Sequence, residues 1–228
     1  MPADASDGEW ARVDADDAAR IQAGYGTYAT VYDWFARLTA PVGGVRADCV
    51  DALRLSRGDT VVEFGCGPGV NLPALREAVG PEGRVIGVDI TGPMLRRARA
   101  RVERHGWENV SLVRGDATTT PIRSVDAVLA TFVTSLFEAP YPVVARWCGL
   151  ADTVAVTNFA PGDNRVGNAA LWAFARASAR LFDAAGTDVL DQLAERTADS
   201  RRALADHTDA VDTESYVLGT ITLAVGRR

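Results

Sequence analysis

The sequence predicts an α/β fold built on a doubly wound, mostly parallel sheet, and three observations predict it. From Thr60 onward, short apolar runs alternate with helical patterns. The first run, "VVEF", leads into a turn with glycine at alternate positions, Gly65, Gly67 and Gly69. Later runs end on carboxylates, Asp89 in "GRVIGVD" and Asp116 in "VSLVRGD".

The elements follow in order. "TVVEF" reads as a buried strand and "NLPALREAV" as the helix after the glycine turn. "GRVIGVD" is a second strand. "TGPMLRRARARVERHG" is a helix with Thr91 as N-cap, Pro93 in its first turn and Gly106 as its stop. "NVSLVRGD" and "VDAVLATF" supply the third and fourth strands, "APYPVVARWCGL" a short helix, and "DTVAVTNF" a fifth strand. Residues 161–206 then break the alternation with a long, mostly helical stretch. The tail, "TDAVDTESYVLGTITLAVGRR", reads as two strands meeting at a hairpin or bend around Gly219. Upstream, "VRADCVDALRL" places Val45, Cys49, Ala52 and Leu53 on one helical stripe, preceded by an aromatic-rich stretch and an acidic, frayed start.

Composition narrows the function. The chain has 228 residues and a net charge of −6, with 24 arginines and no lysine. A nucleic-acid partner is not expected, because phosphate contacts call for a basic surface. Three scattered cysteines without a Cys/His cluster exclude a structural zinc site and suit a reducing, cytoplasmic setting. No apolar run of 18 residues and no apolar leader are present.

The glycine turn carries the chemistry. Alternate glycines allow positive φ and close approach of a ligand to the backbone. A dinucleotide fingerprint would want a small residue where Val70 stands, and a phosphate loop would want a lysine. Glu63, just before the turn, suits a cationic ligand better than a phosphate. A carboxylate such as Asp89, after the second strand, can accept from ribose hydroxyls.

"EFGCGPG" resembles the first motif of the class I S-adenosylmethionine-dependent methyltransferases. The resemblance implies a Rossmann-like sheet of seven strands with an antiparallel last strand, and a helical cap at about 161–206 between strands five and six. It implies S-adenosyl-L-methionine as cofactor and S-adenosyl-L-homocysteine as product. Glu63 with Gly65, Gly67 and Gly69 would hold the methionine half, Asp89 the ribose, and Asp116 with the Ala117 amide the adenine. Ile90 and Met94 would pack on the adenine faces, and Thr131 and Phe132 would line the reacting centre.

"YATVYDW" and "VLGTITLAVGRR" resemble the quinone-biosynthesis and phospholipid N-methyltransferase branch, in which a tyrosine, here Tyr32, folds over the cofactor. Residues 1–55 would then be a helical extension covering the cofactor, with 56–228 the core. The acceptor expected is a small or lipid-like molecule of quinone or phospholipid type, with peripheral membrane contact and a monomeric or homodimeric state. Trp172 and Phe174 on the cap are substrate candidates. "TFVT" stands where nucleobase and glutamine N-methyltransferases carry an Asn/Asp-Pro-Pro-aromatic motif, which disfavours those acceptors. No catalytic base is assigned; Glu138 and Asp163 are weak candidates, and His207, in a turn near the penultimate strand, could reach the cleft. The readings kept beside this one are an NAD-dependent oxidoreductase and a non-catalytic S-adenosylmethionine-binding protein.

Overall fold

The computed structural model describes residues 44–119, 121–177 and 188–228. Helix α1 (Val45–Asp51) leads into β1 (Thr60–Phe64), α2 (Leu72–Val79), β2 (Arg84–Asp89), α3 (Gly92–His105), β3 (Val110–Arg114) and β4 (Ala127–Thr131). A single 3₁₀ turn, Thr134–Leu136, precedes α4 (Pro140–Cys148) and β5 (Thr153–Phe159). Helices α5 (Arg165–Ala177) and α6 (Val189–His207) then lead to β6 (Ala210–Tyr216) and β7 (Ile221–Arg227).

The seven strands lie in the order β3-β2-β1-β4-β5-β7-β6. The first five in sequence pair in parallel, and β7 runs antiparallel between β5 and β6. Strand order reverses at β1, which pairs with β2 on one side and β4 on the other, Phe64 facing both Val88 and Ala130. Ligands of open α/β sheets bind outside the carboxyl ends of the strands at such a reversal. The segments after β1, β2 and β4 therefore open onto one place.

Strands β1, β4, β5 and β7 are buried almost throughout because both faces are covered, while β3 and β6 at the sheet edges carry exposed residues. Alternation sends Val61, Val85, Leu129 and Leu223 into one core with Leu72, Leu75 and Ala98. It sends Val62, Phe64, Val128 and Val154 into the other with Val144, Trp147 and Leu204. Trp147 stacks on Phe64 at 4.9 Å between ring centres. Helix α2 buries Leu72, Leu75 and Val79, a spacing that keeps them on one face, and stops at Gly80. Helix α3 buries Met94, Leu95 and Ala98 and stops at the left-handed Gly106. Thr91 does occupy its N-cap, but makes no side-chain capping bond.

Two helices are described in the stretch expected as a cap. Helix α5 sits at the carboxyl edge: its Phe174 ring meets Phe159, the last residue of β5, at 5.3 Å. The middle of helix α6 meets that edge, where Thr197 Oγ1 donates to the Phe159 carbonyl at 3.3 Å. It then packs along the sheet face, bringing Ala203 and Leu204 into the core with Ala224. Among the described residues, no helix is long and apolar enough to cross a membrane.

Candidate cofactor site at the carboxyl edge

The glycine turn is left-handed at alternate positions, with φ of 70° at Gly65, 53° at Gly67 and 76° at Gly69. Each glycine answers a different demand. A Cβ on Gly65 would lie 2.7 Å from Cβ of Val133, and one on Gly69 would lie 2.6 Å from Cδ1 of Leu72. The Gly67 amide donates to Oδ2 of Asp89 at 2.8 Å.

A cleft opens beside this turn. Its lining includes Gly65, Gly67, Asp89, Ile90, Thr91, Asp116, Ala117, Thr131, Phe132, Val133, Leu136 and Phe137. Eight of the expected cofactor residues thus stand around one cavity. Asp89 is held rigidly: the Thr91 amide donates to its Oδ1 at 2.7 Å while Gly67 takes the other oxygen. Burial raises its pKa despite those bonds. Asp116 sits in a tight turn in which the amide and the hydroxyl of Thr118 both donate to its Oδ1 at 2.8 Å. Helix α4 secures that turn from behind, with Trp147 Nε1 donating to the Ala117 carbonyl at 3.1 Å and Arg146 reaching the Thr118 carbonyl.

Three of the other four expected residues stand off the cleft. Met94 is buried on the inner face of α3 and does not line the cleft. Gly69 also lies off it, its space taken by Leu72 and Ala98, so its role is to bring α2 and α3 together. Glu63 is only 1 % exposed, beneath the cleft rather than on its wall. Tyr32 falls outside the described residues.

Glu63 has an incomplete set of partners. Its Oε1 accepts from Asn71 Nδ2 at 2.6 Å, and its Oε2 is buried without a hydrogen-bond partner. Burial pushes its pKa to about 8, with the Asn71 hydrogen bond and the Arg46 guanidinium pulling the other way. A buried orphan oxygen is costly, and a donor arriving at Oε2 would relieve it. An ammonium is such a donor, so the residues fit a ligand whose amino-acid end is cationic.

Arg46 and Asn71 were missed in the sequence. Asn71 holds the N-terminal flank of α2, yet its side chain makes no cap and turns to Glu63 and to Thr131 Oγ1, at 3.2 Å. Arg46 Nη1 donates to Asn71 Oδ1 at 3.0 Å, and its guanidinium stands 5.8 Å from the ring centre of Phe132. An asparagine two residues past the last glycine was a readable signal; an arginine 25 residues upstream was not.

Phe132 is itself unusual. Its φ of 64° is rare for a residue with a Cβ, and such strain clusters at functional sites. Its ring stacks on Phe159 at 4.5 Å, which in turn meets Phe174. Phe174 therefore joins the aromatic column running from the cleft to α5, whereas Trp172 is 49 % exposed and packs under Arg176.

The weak base candidates fare differently. Glu138 and Asp163 are exposed. His207 ends α6 at the amino edge of the sheet, beside Tyr141, where the next strand begins opposite Arg227 and hence Thr153. Strand β6 runs the same way as β5, so the helix feeding it must end away from the cleft; the expectation that His207 could reach it is corrected. His105 ends α3 stacked on Trp107.

Comparison with known proteins places this geometry. A family model described as "Methyltransferase domain" matches residues 61–148. Phosphatidylethanolamine N-methyltransferase of Cereibacter sphaeroides is 33% identical over 159 residues, 67% of this chain and 74% of that protein. Demethylmenaquinone methyltransferase of Geobacillus stearothermophilus is 36% identical over 76 residues, 33% of this chain and 32% of that one. Among solved structures, magnesium protoporphyrin IX methyltransferase from Synechocystis PCC 6803, with S-adenosylhomocysteine bound, aligns at a TM-score of 0.65 and 18% identity. That alignment covers 93% of this chain and all of that one. The chain spans less than half the length of several other curated relatives it matches, 21–48% for four of them.

Proposed function

The chain is a member of the S-adenosylmethionine-dependent methyltransferases, and from that premise we propose that it transfers a methyl group to a small or lipid-like acceptor of quinone or phospholipid type. The observation that carries the reading is the set of three carboxylates, Glu63, Asp89 and Asp116, arranged about one left-handed glycine turn at the point where strand order reverses. In this reading Glu63 Oε2 meets the cofactor's ammonium, Asp89 the ribose and Asp116 the adenine, with Ile90 packed against the base. Thr131 and Phe132 border the reacting end. Tyr32 and the rest of the 1–55 extension would cover the cofactor.

The bound cofactor supplies an electrophilic methyl group on a sulfonium. The chain's part in such an in-line displacement is alignment. Asp89, locked by two backbone amides, fixes the middle of the ligand. Phe132, Val133, Leu136 and Phe137 give the cleft an apolar wall. Among the described residues lining the cleft, only Asp89 and Asp116 are carboxylates, and both serve the cofactor in this reading. This supports an acceptor whose attacking atom is already nucleophilic, such as a free amine or a phenolate.

The apolar column Phe132–Phe159–Phe174 supports a hydrophobic acceptor, as does similarity to relatives named for a phospholipid and a quinone. Labelled S-adenosylmethionine supplied with demethylmenaquinol, phosphatidylethanolamine or a hydrophilic catechol tests the acceptor. Label in either hydrophobic compound supports the reading. Label in the catechol alone overturns it.

A further inference from the structure

Five large apolar side chains are exposed among the described residues: Val113, Val166, Trp172, Val217 and Leu218. Four of them gather at the carboxyl edge, on α5 and the β6–β7 hairpin. Val166 is 72 % exposed, Leu218 59 % and Val217 38 %. The two pieces touch, since a Cβ on Gly167 would lie 3.1 Å from Cβ of Leu218.

Helix α5 turns a continuous surface outward. Gly167, Leu171 and Ala175 face the core, at a spacing that repeats every four residues. The opposite arc carries Val166, Ala169, Ala170 and Ala173, flanked by Arg165, Trp172 and Arg176, all exposed. The helix "RVGNAALWAFARA" contains no carboxylate, in a chain of net charge −6. An exposed face of apolar residues, one tryptophan and two arginines has the composition of a helix lying in a lipid headgroup layer.

The hairpin tip adds a second feature. Val217 and Leu218 open the four-residue hairpin loop 217–220 with φ of 49° and 58°, and the Gly219 amide donates to the Tyr216 carbonyl at 3.0 Å. Positive φ is unfavourable for a residue with a Cβ, and a β-branched residue there is strained. Here the strained conformation leaves two apolar side chains partly exposed, with Leu218 against Gly167 in the first turn of α5.

We propose that the outward arc of α5 and the Val217–Leu218 hairpin tip form a docking face for an anionic lipid surface. Val166, Val217, Leu218 and Trp172 enter the acyl boundary, and Arg165 and Arg176 meet lipid phosphates. The face lies on the same sheet edge as the cleft, so docking presents that edge to the bilayer. Its purpose rests on the lipid-like acceptor, but its test reads binding and not methylation, so either idea can fail alone.

The test is co-sedimentation of the full chain with vesicles of phosphatidylcholine alone or with a third phosphatidylglycerol. The expected result is binding to the anionic vesicles, weakened by added salt. Val166→Glu with Leu218→Glu should reduce it at least tenfold. Arg165→Ala with Arg176→Ala should reduce it roughly ten- to thirtyfold, at about fivefold per arginine. A thermal shift with S-adenosylhomocysteine, unchanged in both variants, verifies the fold. Failure to bind any vesicle overturns the proposal, as does binding unaffected by the glutamates. A dimer abolished by the same glutamates, with no vesicle binding, would assign the face to a second copy of the chain and also overturn it.

Discussion

Asn71 bridges Glu63 and Thr131 with a single amide: its Nδ2 stands 2.6 Å from Oε1 of Glu63 and 3.2 Å from Oγ1 of Thr131. One side chain thus ties the end of β1 to the end of β4, and Arg46 holds the other end of the same amide. Removing a partner from a buried hydrogen-bonded group costs about 1–3 kcal/mol. Asn71→Ala is expected to weaken S-adenosylhomocysteine binding roughly tenfold, read by calorimetry. Arg46→Ala should act in the same direction and less strongly, because Asn71 keeps its bonds to Glu63 and Thr131.

The buried Glu63 gives the cofactor-free protein a pH signature. Its carboxyl titrates at about 8, against an ordinary 4.5. Between those values the folded chain holds a proton that the unfolded chain has released, so stability falls as pH rises across this window. The raised Asp89 pKa adds a slope of the same sign. Thermal unfolding between pH 5 and pH 8 should show a falling midpoint, flattened by Glu63→Gln. Equal slopes for the two proteins would place the titration on another group.

Asp89 joins fold and site. Asp89→Ala leaves the Gly67 and Thr91 amides without their acceptor and removes the carboxylate from the cleft. Cofactor affinity should drop roughly ten- to a hundredfold, since hydrogen bonds to a charged group contribute about 1.5–3 kcal/mol. Asp89→Asn, keeping one acceptor, should fall between. An unchanged dissociation constant would remove Asp89 from the site.

The glycines separate space from conformation. Gly69 has φ of 76° and no room for a Cβ, whereas Gly106 has φ of 62° and nothing within 4 Å. Gly106→Ala should cost about 1 kcal/mol from backbone conformation alone. Gly69→Ala should cost about 1–3 kcal/mol more, because Leu72 must move. Urea unfolding of both variants measures the difference.

The sheet was legible because its central strands are covered on both faces and read as largely apolar runs, and because Gly80 and Gly106 mark helix ends. The carboxylates Asp89 and Asp116 were legible for a related reason, standing where apolar runs stop. Met94 misled because an apolar residue one turn into α3 has the same local pattern whether it faces a ligand or the core. Arg46 was invisible because its partner lies 25 residues away, and only the pairing of the β1 and β4 ends brings the group together. The hairpin around Gly219 was legible from its glycine, whereas the positive φ of Val217 and Leu218 was not, because side chains with a Cβ disfavour it.

The central claim is that the cleft holds an S-adenosyl cofactor through Glu63, Asp89 and Asp116. Its most direct test is titration calorimetry of the full chain with S-adenosylhomocysteine and, separately, with NAD. The account predicts one-to-one binding of S-adenosylhomocysteine, lost on Asp89→Ala, and no heat with NAD. Binding of NAD without any response to S-adenosylhomocysteine would contradict it.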